Sequence, residues 1–150
     1  MAEVRIMPDV VGPRNLVTLQ PEESVRAAAR LMAHKKISAI LVVQDHRLKG
    51  ICTERDITTR VVAAGLPPDA TALDQVMTHN PDTVAPDAFL REAWERMSAG
   101  GYRHLPIVDG HNLVGIVSVR DLQAALTAQL EADLLEREAF ISGVGMSGLN

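Results

Sequence analysis

The sequence predicts a mixed α/β (α+β) fold, with two β-α-β-β-α repeats packed in pseudo-twofold symmetry and an extended C-terminal helix. Three observations predict it. The chain aligns with itself at an offset of 65 residues: positions 18–57 share 12 identities with 83–122, and many of the remaining pairs are apolar with apolar. Helical apolar spacing and short β-rich runs follow one another in the same order in both copies. Residues 118–140 contain no Gly or Pro, so the last helix lacks the stop its counterpart has.

Each copy opens on a short strand, at 16–19 or 83–84, and reaches Pro21 or Pro86 where proline suits a helix start. A helix follows with Val25, Ala28, Ala29 and Met32 on one face, or Leu90, Ala93, Trp94 and Met97, both at i, i+3, i+4, i+7 spacing. Lys35-Lys36 ends the first helix and Gly100-Gly101 the second. Paired β-rich runs come next, at 37–43 with 48–52 and at 105–108 with 113–117, joined by turn residues that read as hairpin loops. A further helix starts at Thr53 or Ser118, and the first copy of it stops at Gly65, before Pro67 and Pro68. Neither half could bury its sheet face alone, so the two are expected to pack together. The divisions are 1–66 for the first repeat with its lead-in segment, 67–125 for the second, and 126–150 for a helical extension with a flexible Gly/Ser tail. The lead-in helices are read at 76–78 and, more loosely, at 6–8. On that pairing Met7 lies 11 positions before Thr18 and Met77 only 6 before Thr83, which implies five extra residues in the first copy.

Composition excludes several function classes. A net charge of −4 with one Trp, one Tyr and two Phe gives no general drive toward nucleic acid. Cys52 is the only cysteine, which excludes an internal disulfide or a cysteine metal cluster and fits a reducing cytoplasm. The first ten residues have no apolar signal core, and the run at 39–43 is too short to span a bilayer. A cytoplasmic protein with no membrane or nucleic-acid partner is expected. It is not expected to be an enzyme, since Gly-x-Ser-x-Gly, His-Glu-x-x-His and P-loop patterns are all absent. His46 and His111 sit at hairpin tips without metal-ligand spacing. Positions 143–148 match G-x-G-x-x-G, but they follow a helix and not a strand, so the dinucleotide reading fails.

The chemistry-bearing pattern is Thr53-x-x-Asp56, repeated as Ser118-x-x-Asp121 at the second strand-to-helix junction. Hydroxyl and acid at this spacing make a capping box. The same geometry can also hold a ligand, because a helix start favours phosphate and a carboxylate can accept from vicinal hydroxyls. Thr71-x-x-Asp74 has the same spacing in the linker and is read as a cap of the short helix there. Arg55 and Arg120 beside the aspartates either compensate phosphate or are solvated surface groups.

These motifs resemble a tandem pair of cystathionine β-synthase (CBS) domains, a Bateman module. The resemblance rests on Thr18-Leu19-Gln20-Pro21 and Thr83-Val84-Ala85-Pro86, on 103–109 with its Arg-His-Leu-Pro-Ile-Val-Asp, and on the Gly-to-Asp elements from Gly50 and Gly115. It implies regulation through AMP, ADP, ATP, NAD(H) or S-adenosylmethionine as ligand, with no required cofactor and no metal. It also implies a homodimer and an unidentified protein target. The implied ligand-binding residues are Thr18, Ile37, Ala39, Thr53, Arg55 and Asp56 in the first copy. In the second they are Thr83, Arg103, His104, Pro106, Ser118, Arg120 and Asp121. Asp56 and Asp121 would take ribose hydroxyls, and the hydroxyl and basic groups would face phosphates. The first copy departs from the pattern, with Ala39-Ile40-Leu41 in place of His104-Leu105-Pro106 and Gln44 in place of Asp109, so two unequal pockets are expected. The alternative is an interaction module whose pockets stay empty. The leucines at 122, 126, 130 and 134 form a stripe that either folds back on the module or meets a partner subunit.

Overall fold

A computed structural model describes residues 3–147, with side chains described to residue 143. The first copy contributes β1 (Thr18–Leu19), α1 (Val25–Lys35), β2 (Ala39–Gln44), β3 (Arg47–Thr53) and α2 (Glu54–Ile57), which runs on as a wider turn over Thr58–Val62. The linker carries α3 (Leu73–Val76) and β4 (Thr78–His79), and the second copy has α4 (Leu90–Gly100), β5 (His104–Asp109), β6 (Asn112–Ser118) and α5 (Val119–Ser147). One sheet has the order β1-β2-β3-β4 and the other is the β5-β6 hairpin. A parallel bridge from Val84 to Ile107 stands where β1 stands in the first copy. Both hairpins shift register at equivalent places, Val42/Val43 and Ile107/Val108. Repeated sequence thus gives a repeated irregularity.

The helices begin later than the prolines suggest. Ser24 caps α1 by accepting from the Ala27 N–H at 3.1 Å, and Phe89 precedes α4 without a side-chain cap. Pro21 and Pro86 lie in the preceding turns, and their carbonyls accept from Asp74 N (3.0 Å) and Met7 N (2.8 Å). Positive-φ residues end both helices: Lys36 (56°) and Gly101 (69°). Trp94, read as part of the apolar face, is 40% exposed, while Ala93 and Met97 fill the core. The face of α4 is narrower than its spacing implied.

Chain order and spatial grouping differ. The core of the first copy (Val25, Ala28, Met32, Ile40, Val42, Cys52, Val61) is completed by Leu73, Val76 and Met77 from the linker. The core of the second (Val84, Ala93, Met97, Leu105, Ile107, Val117, Leu122) is completed by Ile6 and Val11. Equivalent hydrogen bonds dock the two segments: Leu73 N to Glu23 O and Ile6 N to Ala88 O, then Val25 N to Thr71 O and Leu90 N to Val4 O. The 6–10 segment is a single turn in which Met7 is extended, not a helix like α3. Its closing bond, Val11 N to Ile6 O, matches Met77 N to Leu73 O. Val11 therefore corresponds to Met77, and the five extra residues of the sequence alignment shrink to one. Pairing methionine with methionine misaligned the segments because burial, not side-chain identity, sets the register here.

A third apolar cluster joins the copies: Ala39, Leu41 and Ile51 with Leu16, Leu48, Leu113 and Ile116. Gly50 makes room for the close approach of β4, since a Cβ there would stand 2.5 Å from Met77 Sδ and 2.8 Å from the Thr78 carbonyl. Gly50→Ala is expected to cost about 1–3 kcal/mol in urea unfolding. Gly115→Ala, facing only the Ile107 side chain at 3.2 Å, should cost less.

The last helix spans 29 residues, about 43 Å. Leu122 is buried in the second core, while Leu126, Leu130, Leu134 and Leu135 are exposed, as are Phe140 and Ile141. The stripe folds back on its own module only at its first turn. The helix continues through Gly143 and Gly145 to Ser147, where a flexible tail was expected. Glycine costs about 1 kcal/mol in a helix but keeps its N–H, so it does not end one. Gly148 lies outside the described residues.

Candidate functional site

The two copies enclose a cleft of ≈ 1480 Å³, larger than the roughly 300–1,000 Å³ typical of a single small-molecule pocket. Its two halves centre on the strand-to-helix junctions. Thr53 Oγ1 accepts from Asp56 N at 3.2 Å, and Thr53 N donates to Asp56 Oδ2 at 2.9 Å, closing a capping box. In the second copy Ser118 N donates to Asp121 Oδ2 at 2.8 Å, and Ser118 Oγ both accepts from Asp121 N (3.2 Å) and donates to Oδ2 (3.0 Å). Both junctions are pinned to the strands beside them, through Glu54 N to Ser38 O and Val119 N to Arg103 O. In each carboxylate one oxygen is held by the cap and the other faces an arginine, one helical turn along in the first copy and from a distant segment in the second. Asp56 Oδ1 faces Arg60 Nε at 3.8 Å, and Asp121 Oδ1 faces Arg14 Nη2 at 3.9 Å.

The linker pattern behaves differently. Thr71 is buried and its hydroxyl donates to the Pro67 carbonyl at 2.8 Å; α3 starts after Ala72 without a side-chain cap. The expected cap at Thr71 is not formed, because the buried hydroxyl instead donates to the Pro67 carbonyl at the start of the linker.

Of the residues the sequence singled out, Ile37, Ala39, Thr53, Arg55, Asp56, Arg103, His104, Ser118, Arg120 and Asp121 line the cleft. Thr18, Thr83 and Pro106 stand outside its lining: Thr18 is exposed on β1, the Thr83 carbonyl accepts from Arg96, and Pro106 is fully buried on β5. Arg14, Ser38, Arg60 and Asn80 line it and were missed. Arg60 had a local signal, its i+4 spacing from Asp56. The others reach the cleft only through long-range folding.

Ser38 Oγ and His104 Nε2 share a hydrogen bond of 2.8 Å that ties the two copies together at the cleft. Burial lowers the His104 pKa from its ordinary 6.5, against the pull of Asp121, with Arg103 adding to the lowering and Glu54 opposing it. The ring is therefore neutral at pH 7. Because the folded pKa is depressed for a base, the unfolded chain binds more protons below 6.5, so stability falls as pH drops from 6.5 through the folded pKa. Urea midpoints measured between pH 7.5 and 5 should show this loss, and His104→Asn should flatten it. Cys52 is buried, and burial with the nearby Asp56 charge pushes its thiol up to about 12, against a lowering by Arg60, so it is unreactive.

This duplicated architecture is matched among known proteins. The chain matches the CBS domain family model twice, over residues 9–63 and 73–128.

The chain belongs to the CBS domain family.

The CBS pair is 38% identical over 107 residues to the CBS domain-containing protein YhcV of Bacillus subtilis, covering 71% of this chain and 76% of that protein. It is 36% identical over 104 residues to CBSCBSPB2 of Arabidopsis thaliana, covering 69% of this chain. It spans only 19% of that plant protein's length. Among solved structures, a CBS domain protein from Pyrobaculum aerophilum complexed with AMP superposes with a TM-score of 0.73 at 26% identity, covering 83% of this chain and 97% of the other. Among the described residues, no helix of the CBS pair is long and apolar enough to cross a membrane.

Proposed function

We propose that this CBS pair is a regulatory sensor, not an enzyme, that binds an adenine-containing nucleotide in the cleft between its repeats. AMP, ADP, ATP, NAD(H) and S-adenosylmethionine are the candidate ligands. The observation that carries this reading is the pair of carboxylates at equivalent helix starts on the cleft lining, each with one oxygen held by a cap and the other facing an arginine beyond hydrogen-bond distance. A cap needs only one of them. The AMP complex of the Pyrobaculum relative supports the same ligand class. A ligand would signal by favouring one packing of the repeats over another, which requires unequal affinity for the two.

The exposed leucines of α5 favour a second role beside the first, self-association as a homodimer or capture of a protein target. A single buried cysteine suits a reducing compartment, and we place the sensor in the cytoplasm. The test is mass spectrometry of small molecules released from the purified protein, followed by calorimetric titration with the five ligands. Binding of at least one is expected. Binding of none would leave the ligand-free interaction module as the surviving reading.

A further inference from the structure

The two halves of the cleft draw their cations from different places. In the first, Arg60 lies one helical turn beyond Asp56, and its Nη1 donates to the Val76 carbonyl at 2.8 Å, so it is anchored. The 65-residue offset puts Ala125 at the equivalent position of the second copy. The cation missing there is replaced by Arg14, which comes from the segment between the 6–10 turn and β1.

Local chemistry explains why Arg14 is available. Counted from Val11 and Met77, its equivalent in the linker is Asn80, whose N–H donates to the Lys49 carbonyl at 3.0 Å just beyond β4. In the first copy Pro13 stands where the linker has His79, the β4 residue opposite Gly50, and proline has no N–H to offer a neighbouring strand. Residues 11–17 accordingly form no strand along β6. The Arg14 side chain is 60% exposed, and its 3.9 Å pair to Asp121 is longer than a hydrogen bond. An exposed pair of this kind adds little stability.

We propose that Arg14 is the specificity-determining residue of the second half-cleft, a movable cation that trades Asp121 for the phosphate chain of the ligand. The inference rests on the nucleotide reading above. When ribose hydroxyls take the open Asp121 oxygen, the guanidinium is released beside them and pairs with phosphate. Arg14 then opposes a ligand that has only the nucleoside and assists one that carries phosphates.

The test follows from those opposite signs. Adenosine and ATP are titrated into wild type, Arg14→Ala and Arg14→Lys with EDTA present, and circular dichroism checks the fold of each. Arg14→Ala should weaken ATP about tenfold or more, the scale of one lost charge-assisted bond. Adenosine should bind it as well as wild type or better, and Arg14→Lys should recover most of the ATP affinity. Parallel weakening of both ligands, or no change in either, overturns the role of Arg14. Failure of wild type to bind either compound or any other adenine ligand overturns the nucleotide reading itself, and this role with it.

Discussion

Asp121→Ala is expected to weaken adenine-nucleotide binding at least about tenfold, because a hydroxyl donor loses a charged acceptor inside a partly desolvated cleft. The same substitution removes the carboxylate half of the capping box, leaving Ser118 N without its acceptor, which costs about 1 kcal/mol of stability on its own. The two effects separate with Asp121→Asn. Its amide oxygen can still accept from Ser118 N, so the cap is largely kept, while the charge that receives the ribose is gone. Calorimetry should show affinity lost in both variants, and urea unfolding should show stability lost mainly in the alanine variant. If Asp121→Asn binds as wild type does, the carboxylate is only a cap. Asp56→Ala should have the smaller effect on binding, since the Asp56 side chain is 14% exposed against 26% for Asp121, and its arginine is tethered.

Ile6→Ala is expected to destabilise the protein by about 2–4 kcal/mol, as a fully buried core position does. Its place near the start of the chain suggests the opposite, because terminal segments usually tolerate change. Ile6 is 0% exposed and belongs to the core of the second copy, where it does for α4 and β5 what Leu73 does for the first copy. Urea midpoints of Ile6→Ala and Leu73→Ala should fall by similar amounts. A loss below about 1 kcal/mol at Ile6 would show that the segment is only loosely docked.

Much of the fold was legible because its signals are local and occur twice. Each helix end, hairpin and strand-to-helix junction is set by residues within a few positions of one another, and the second copy tests the first. The aspartates were legible for the same reason, and the contrast with Thr71 and Asp74 shows what spacing alone is worth. The same hydroxyl-to-acid spacing made a capping box at Thr53 and Ser118 and none at Thr71, where the hydroxyl turned to the Pro67 carbonyl.

The structure departs from the sequence reading where partners are far apart in the chain. The Met7–Met77 pairing failed because only docking against Ala88 and Glu23 reveals that Ile6 matches Leu73. Thr18, Thr83 and Pro106 were carried over by motif and lie outside the cleft lining, whereas Ser38 and Arg14 enter it. Arg14 and Asp121 carry no periodicity that could announce their contact.

By itself, then, the sequence determined the duplication, the order of elements and the two polar junctions, since these depend on short-range periodicity, caps and turns. The tertiary structure alone decided which segment closes which core and which arginine faces which aspartate. Those choices follow from burying apolar surface between residues distant in the chain, and no local pattern encodes them.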